Sequence, residues 1–186
     1  MTIEEAVLTV IDALEVGRVP YMVVGSLSSN LYGMPRSTQD ADFVLQIEPA
    51  LLSALRSRLG PRFRWEPQLT FETITATTRQ IINVESLGFR IELFLLSDDS
   101  HDQQRFARRQ RVQVLGKDTY APTAEDVIIT KLRWSQQGKR HKDVDDVRNV
   151  MAIQGDNLDW TYIHGWCDQH GTRTLLEAIR RSIPPL

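Results

Sequence analysis

Apolar residues recur at Ile3, Ala6, Val7, Val10, Ile11 and Leu14, the one-face spacing of an amphipathic helix over 3–14, and Thr2 with Glu5 forms a capping box before it. Residues 21–24 make a short β-rich run that stops at Gly25. Residues 26–32 then read as a helix whose first turn holds Ser26, Ser28 and Ser29, ended by Gly33 and Pro35. A strand is predicted over 40–47, and Glu48-Pro49 opens a helix to about 59, stopped by Gly60-Pro61. Three β-like runs follow at 69–75, 79–85 and 89–96, the last two joined as a hairpin through Leu87-Gly88. A polar helix over 101–109 and a short strand at 112–115 come next. From Thr123, an N-cap, the pattern is helical throughout: 125–135, 142–153, 160–170 and 172–182. The expected fold is α/β (α+β), a mixed sheet flanked by helices. It is read as a single domain over 1–186, with an α/β core at 1–120 and a helical extension at 121–186.

Composition narrows the picture. With 186 residues, 41% hydrophobic and 25% charged, the chain can bury one substantial core, and a net charge of -2 gives no general attraction to nucleic acid or membranes. Attraction to phosphate must therefore come from local clusters, of which there are two: Arg105, Arg108, Arg109 and Arg111, and Arg133, Lys139, Arg140 and Lys142. Without interleaved aromatics they read as solvated helix faces. Cys167 is the only cysteine, which excludes an intrachain disulfide, and its apolar helical setting predicts a buried, inert thiol. His101, His141, His164 and His170 lack metal-site spacing, with His164 and His170 expected on helix surfaces. Trp134, Trp160, Tyr162 and Trp166 are expected to pack the helical part. The acidic, amphipathic N-terminus and the absence of an apolar run near ~20 residues predict a soluble, cytoplasmic protein with no membrane partner.

The chemistry concentrates at Asp40 and Asp42, which strand geometry puts on the same face. Two such carboxylates repel unless a cation or base lies between them, and Mg²⁺ with oxygen ligands is the natural occupant. The alternative is structural: Asp40 caps a turn and Asp42 pairs with Arg36. Upstream, Gly25-Ser26 follows a buried strand and opens a helix, which leaves backbone N–H groups and a hydroxyl to face an anion. A plain strand-to-helix turn is the alternative there.

The string Val24-Gly25-Ser26, thirteen residues, then Asp40-Ala41-Asp42-Phe43 resembles the signature of the polymerase-β-like nucleotidyltransferase superfamily. Arg36, Ser37 and Thr38 before it match the R-x-T-x-D-x-D form of small bacterial members. The resemblance implies that Asp40 and Asp42 hold metal on a nucleoside triphosphate such as ATP, and that a third acid on a later strand completes a two-Mg²⁺ site. Glu92 is the candidate, opposite the face of Ile91, Leu93 and Leu95 and alongside Arg90 and Phe94. The superfamily more often carries aspartate there, and an ion pair of Glu92 with Arg79 or Arg90 is the structural alternative.

A second resemblance comes from Pro122-Thr123-Ala124-Glu125-Asp126-Val127, Lys131-Leu132 and the run from Arg140 to Val147, similar to minimal nucleotidyltransferases that include the toxins of AbiE-type toxin–antitoxin pairs. It implies that Lys131 reaches the triphosphate and that Asp143 supports the site. Together the resemblances imply a Mg²⁺-dependent nucleotidyltransferase that moves a nucleoside monophosphate from an NTP to tRNA, protein or a small molecule and releases pyrophosphate. Asp40, Asp42 and Glu92 would be its catalytic and metal residues, and Gly25, Ser26, Arg36 and Lys131 its nucleotide-binding residues. Arg36 is expected to contact phosphate or to brace the Asp40 loop. An antitoxin is the partner such a toxin would have, and an antibiotic-modifying transferase is a variant of the same chemistry. The alternative from another class is an inactive nucleotidyltransferase-fold binding module.

Overall fold

The computed structural model describes residues 1–138 and 141–184. Helix α1 (Ile3–Val16) leads into strand β1 (Tyr21–Val24), helix α2 (Gly25–Tyr32) and strand β2 (Asp40–Leu45). A 3₁₀ turn at Pro49–Leu51 opens helix α3 (Leu52–Leu59). Strands β3 (Arg64–Trp65), β4 (Thr70–Glu72), β5 (Thr77–Val84) and β6 (Phe89–Leu95) follow. Helix α4 (Ser100–Ala107), a ribbon of β7 (Gln110–Val114) and β8 (Lys117–Ala121), and helices α5 (Ala124–Gly138), α6 (His141–Gln154), α7 (Trp160–His170) and α8 (Arg173–Arg181) complete the order.

The main sheet runs β1-β2-β6-β5-β3, with β4 also on β5, and the β2–β6 pair is parallel while the other pairs are antiparallel. It is the mixed sheet flanked by helices that the residue pattern predicts. One face carries Val23, Ala41, Phe43, Leu45, Ile82, Ile91 and Leu93, all at most 1% exposed, and packs with residues of α1 and α3 in one core. Since side chains alternate across a strand, burying Ala41, Phe43 and Leu45 fixes Asp40, Asp42 and Val44 on the other face. A one-residue slip would exchange a large aromatic and a leucine for two carboxylates, and each such apolar burial is worth about 1.5–3 kcal/mol. Hydrophobic patterning thus holds the acids in register.

The second face is thinner. Met22, Val24, Val44 and Phe94 pack against Phe106 of α4. A separate core is built by α5 to α8 from Ile128, Ile129, Leu132, Val147, Val150, Ile163, Cys167 and Leu176. Helix α2 touches both α5 and α6, so the helical part closes over the polar end of the sheet.

Two strands escape the hydrophobic pattern. Strand β8 begins with Lys117 and Asp118, and the turn before it needs positive φ at Leu115 (53°) and Gly116 (76°), the two-residue geometry of a tight hairpin. Strand β3 spans only two residues. The predicted run 69–75 is cut short because the Glu72 carboxylate accepts hydrogen bonds from the backbone N–H of Ile74 and Thr75, which turns the chain. Among the described residues no helix is long and apolar enough to cross a membrane.

Candidate active site

A cleft of about 300 Å³ opens on the polar face of the sheet. Its lining includes Gly25, Ser26, Asp40, Asp42, Glu92, Lys131 and Asp143, so seven of the eight expected site residues meet there. Arg36, the eighth, does not line it.

The corner after β1 is tight. Gly25 has φ +61°, and a Cβ at this position would lie 1.9 Å from Asp42 Oδ2, so only glycine lets the Asp42 carboxylate rest against the start of α2. The register explains the approach, because Val24 stands opposite Asp42 across β1 and β2. No side chain caps the start of α2, which leaves its first-turn N–H groups to the cleft, where an anion is favoured. The Ser26 hydroxyl accepts a 2.9 Å hydrogen bond from Arg36 Nη2, which corrects the expectation of a free hydroxyl. Its proton remains available for donation.

Across the parallel β2–β6 pair Asp42 stands beside Glu92 and Asp40 beside Arg90. Asp40 Oδ1 accepts from the Thr38 hydroxyl at 2.6 Å, which orients it from the loop before the strand. Glu92 is ion-paired: Arg79 Nη1 lies 2.6 Å from Oε2 and Arg90 Nη1 lies 3.6 Å from Oε1.

Lys131 is buried at 7% exposure, far from the solvated helix lysine its sequence context alone suggests. Its Nζ is 3.0 Å from Asp143 Oδ1 and 2.7 Å from Asp146 Oδ2. Asp146 also accepts from Arg36 Nε at 2.8 Å and Nη2 at 2.9 Å. Burial alone would raise the Asp146 carboxyl, but the hydrogen bonds from Arg36 and Lys131 outweigh it and hold its pKa down at about 2. The same bond, with Asp146, raises Arg36. Arg36 therefore pairs with Asp146 and not with Asp42, and it braces Ser26 against α6. Asp146, one helical turn beyond Asp143, is a site residue that the sequence analysis does not single out. Its i, i+3 position is the one available signal.

Of the first basic cluster only Arg111 is solvated as expected, its side chain 70% exposed and paired with Asp118. Arg105 is buried and bonded to Asp102, Arg108 stacks 4.1 Å over Tyr162, and Arg109 lies over Phe106 and Tyr120. Of the second, Arg133 is bound by Asp99 at 2.9 Å and Lys142 lines the cleft, while Lys139 and Arg140 lie outside the described residues. Trp134 also differs from expectation, since it packs edge-on against Phe94 and lines the cleft. His170 stacks with His101 and Trp166 instead of facing solvent, and burial, reinforced by Arg133 and His101, lowers its pKa to about 4.

The oxygen donors and the glycine cradle fit a hard divalent cation on Asp40 and Asp42. Among the described residues no group of three or more His, Cys, Asp or Glu side chains is set to hold a metal, and Glu92 is paired with its arginines.

No protein-family model and no curated protein matches the chain. Solved structures share its fold. The antibiotic-resistance factor ANT(2'')-Ia superposes over 96% of each chain with 9% identity and a TM-score of 0.62. An antigenic nucleotidyltransferase-like protein from Paracoccidioides brasiliensis matches over 98% of this chain and 94% of its own, with 15% identity and a TM-score of 0.55. The lincosamide antibiotic adenylyltransferase LnuA, lincomycin-bound, matches over 82% and 98%, with 12% identity and a TM-score of 0.53. At these identities the likeness establishes the nucleotidyltransferase fold.

Proposed function

We propose that the chain is a nucleotidyltransferase that moves a nucleoside monophosphate from a nucleoside triphosphate to a hydroxyl-bearing acceptor. The observation that carries this reading is the Gly25 corner seated on Asp42, with Asp40, Glu92 and Lys131 around one cleft. Asp40 and Asp42 would hold Mg²⁺, which when bound neutralises phosphate charge and polarises the reacting oxygens. The amides of Gly25 and Ser26 would receive phosphate oxygens at the start of α2, and Lys131 would oppose the charge that grows on the leaving pyrophosphate. Glu92 would take the acceptor proton as the new O–P bond forms at the α-phosphorus and the bond to pyrophosphate breaks.

The resemblance to AbiE-type toxins supports a tRNA acceptor and an antitoxin partner. The shared fold with ANT(2'')-Ia and LnuA supports a small-molecule acceptor. A panel of total RNA, aminoglycosides and lincosamides with α-labelled triphosphates separates the two. Wild-type protein should bind triphosphate in a Mg²⁺-dependent way, the Asp40→Ala/Asp42→Ala variant should not, and label should move to one acceptor class. Failure of the wild type to bind any triphosphate defeats the proposal. The paired state of Glu92 favours a second reading, a binding module without transfer; it predicts Mg²⁺-dependent triphosphate binding with no pyrophosphate release on any acceptor.

A further inference from the structure

Glu92 enters the cleft as half of an ion pair, and the other half carries unspent capacity. Arg79 stands opposite Phe94 in the β5–β6 register and lines the same cleft as Gly25 and Lys131. One of its N–H groups is committed to Glu92 Oε2 at 2.6 Å, and its guanidinium lies 5.8 Å from the centre of the Phe94 ring. Its Nε is buried and finds no hydrogen-bond acceptor among the described residues. A buried donor without an acceptor is costly, and a guanidinium fork suits phosphate oxygens in pairs. The pair is therefore built to change partner when an anion enters.

Resting on the nucleotidyltransferase reading, we infer that Arg79 is a latch on Glu92: it holds the third carboxylate while the cleft lacks substrate, and a substrate phosphate draws it off. Arg79 is then a positioning residue. Once Arg79 leaves, Glu92 and Asp42 stand as adjacent carboxylates on neighbouring strands, an arrangement that a divalent cation stabilises. Triphosphate and cation therefore assist each other, and thermodynamic linkage makes the assistance reciprocal. Arg90, with its side chain 56% exposed and 3.6 Å from Glu92, is the weaker and more readily screened contact.

The test is Mn²⁺ binding to the whole chain without nucleotide, followed by electron paramagnetic resonance, in wild type, Arg79→Gln, Glu92→Gln and the double variant. Arg79→Gln should bind Mn²⁺ about tenfold more tightly, the size of effect that groups around a metal ligand commonly exert. The gain should vanish in the double variant with Glu92→Gln. In EDTA, a nonhydrolysable triphosphate should bind Arg79→Gln more weakly than wild type. Arg79→Lys, which keeps charge but loses the fork, should fall between, and it serves as the readout if Arg79→Gln does not fold. Unchanged or weaker Mn²⁺ binding in the folded arginine variant overturns the latch. Where wild type still binds Mn²⁺ and triphosphate, that result leaves the nucleotidyltransferase reading intact. A wild type that binds neither defeats both.

Discussion

Gly25→Ala isolates the contact on which the site depends. Two costs are expected, and a second glycine separates them. The first is conformational: Gly25 has φ +61°, and a side chain in the left-handed region costs about 1–2 kcal/mol. The second is steric, because the new Cβ would lie 1.9 Å from Asp42 Oδ2 and 2.9 Å from its Cγ. Non-bonded heavy atoms settle at about 3.5 Å or beyond, so the carboxylate or the start of α2 must retreat by more than about 1 Å. Gly88 has a similar φ of +58° but nothing within 4 Å of its would-be Cβ, so Gly88→Ala carries the conformational cost alone. Thermal unfolding should show Gly88→Ala lowered by about 2–8 °C, taking roughly 2–4 °C per kcal/mol at this chain length. Gly25→Ala should fall at least as far and also lose about 100-fold in pyrophosphate release, the usual scale for a 1 Å displacement of reacting groups. If Gly25→Ala matches Gly88→Ala in stability and binds Mg²⁺-triphosphate within twofold of wild type, the seat of Asp42 on the corner has no functional weight.

Asp146→Ala removes the shared partner of Arg36 and Lys131, leaves the guanidinium without its carboxylate and leaves the buried ammonium with Asp143 alone, so urea unfolding should show a loss of about 3 kcal/mol. Asp143→Ala should cost less, since Lys131 keeps Asp146 at 2.7 Å; equal losses would contradict the assigned hierarchy. His170 has a folded pKa of about 4 against an ordinary 6.5, so the unfolded chain binds its proton more readily. Its contribution is present above pH 6.5 and is lost as pH falls towards 4, and His170→Phe should flatten the stability profile across that window. Asp146 has a folded pKa of about 2 against 3.8, and its share should be full above about pH 4 and be lost progressively as pH falls towards 2. Cys167 is fully buried and its thiol is raised by burial, so maleimide should modify it only after denaturation; rapid native labelling would place α7 wrongly.

What was legible in the sequence is what depends on local period. Alternation in 40–45 and 89–95 places Asp40, Asp42 and Glu92 on the face opposite Phe43 and Leu93, and the structure keeps that register. Helix phasing likewise finds α7 and the faces of α5 and α6. Partner choice is a different matter. Arg36 and Asp146 are separated by 110 positions, and no property of either segment indicates the pairing. The basic run at 105–109 misleads for the same reason, because Asp102, Tyr162 and Tyr120 engage Arg105, Arg108 and Arg109 only once α4, α7 and β8 are packed. A charged ribbon strand such as β8 carries too few apolar residues to show a period at all.

The sequence pattern predicts a change from α/β core to helical extension near residue 120, and the cleft draws on both sides of that point. The acids come from β2 and β6, while Lys131 and Asp143 come from α5 and α6. Asp146 joins the halves, since one carboxylate holds Lys131 and, through Arg36, the Ser26 hydroxyl at the start of α2. Lys131 can be buried as a cation only because two carboxylates compensate it, and those carboxylates are placed by the packing of α6 against α5, α2 and α8. The helical part is therefore structural support for the Lys131 end of the cleft. A substrate phosphate that approaches Lys131 competes with Asp143 and Asp146, as one that approaches Arg79 competes with Glu92. Cations already paired in this way favour an incoming group with enough charge to displace a carboxylate, which a triphosphate has and a neutral ligand lacks.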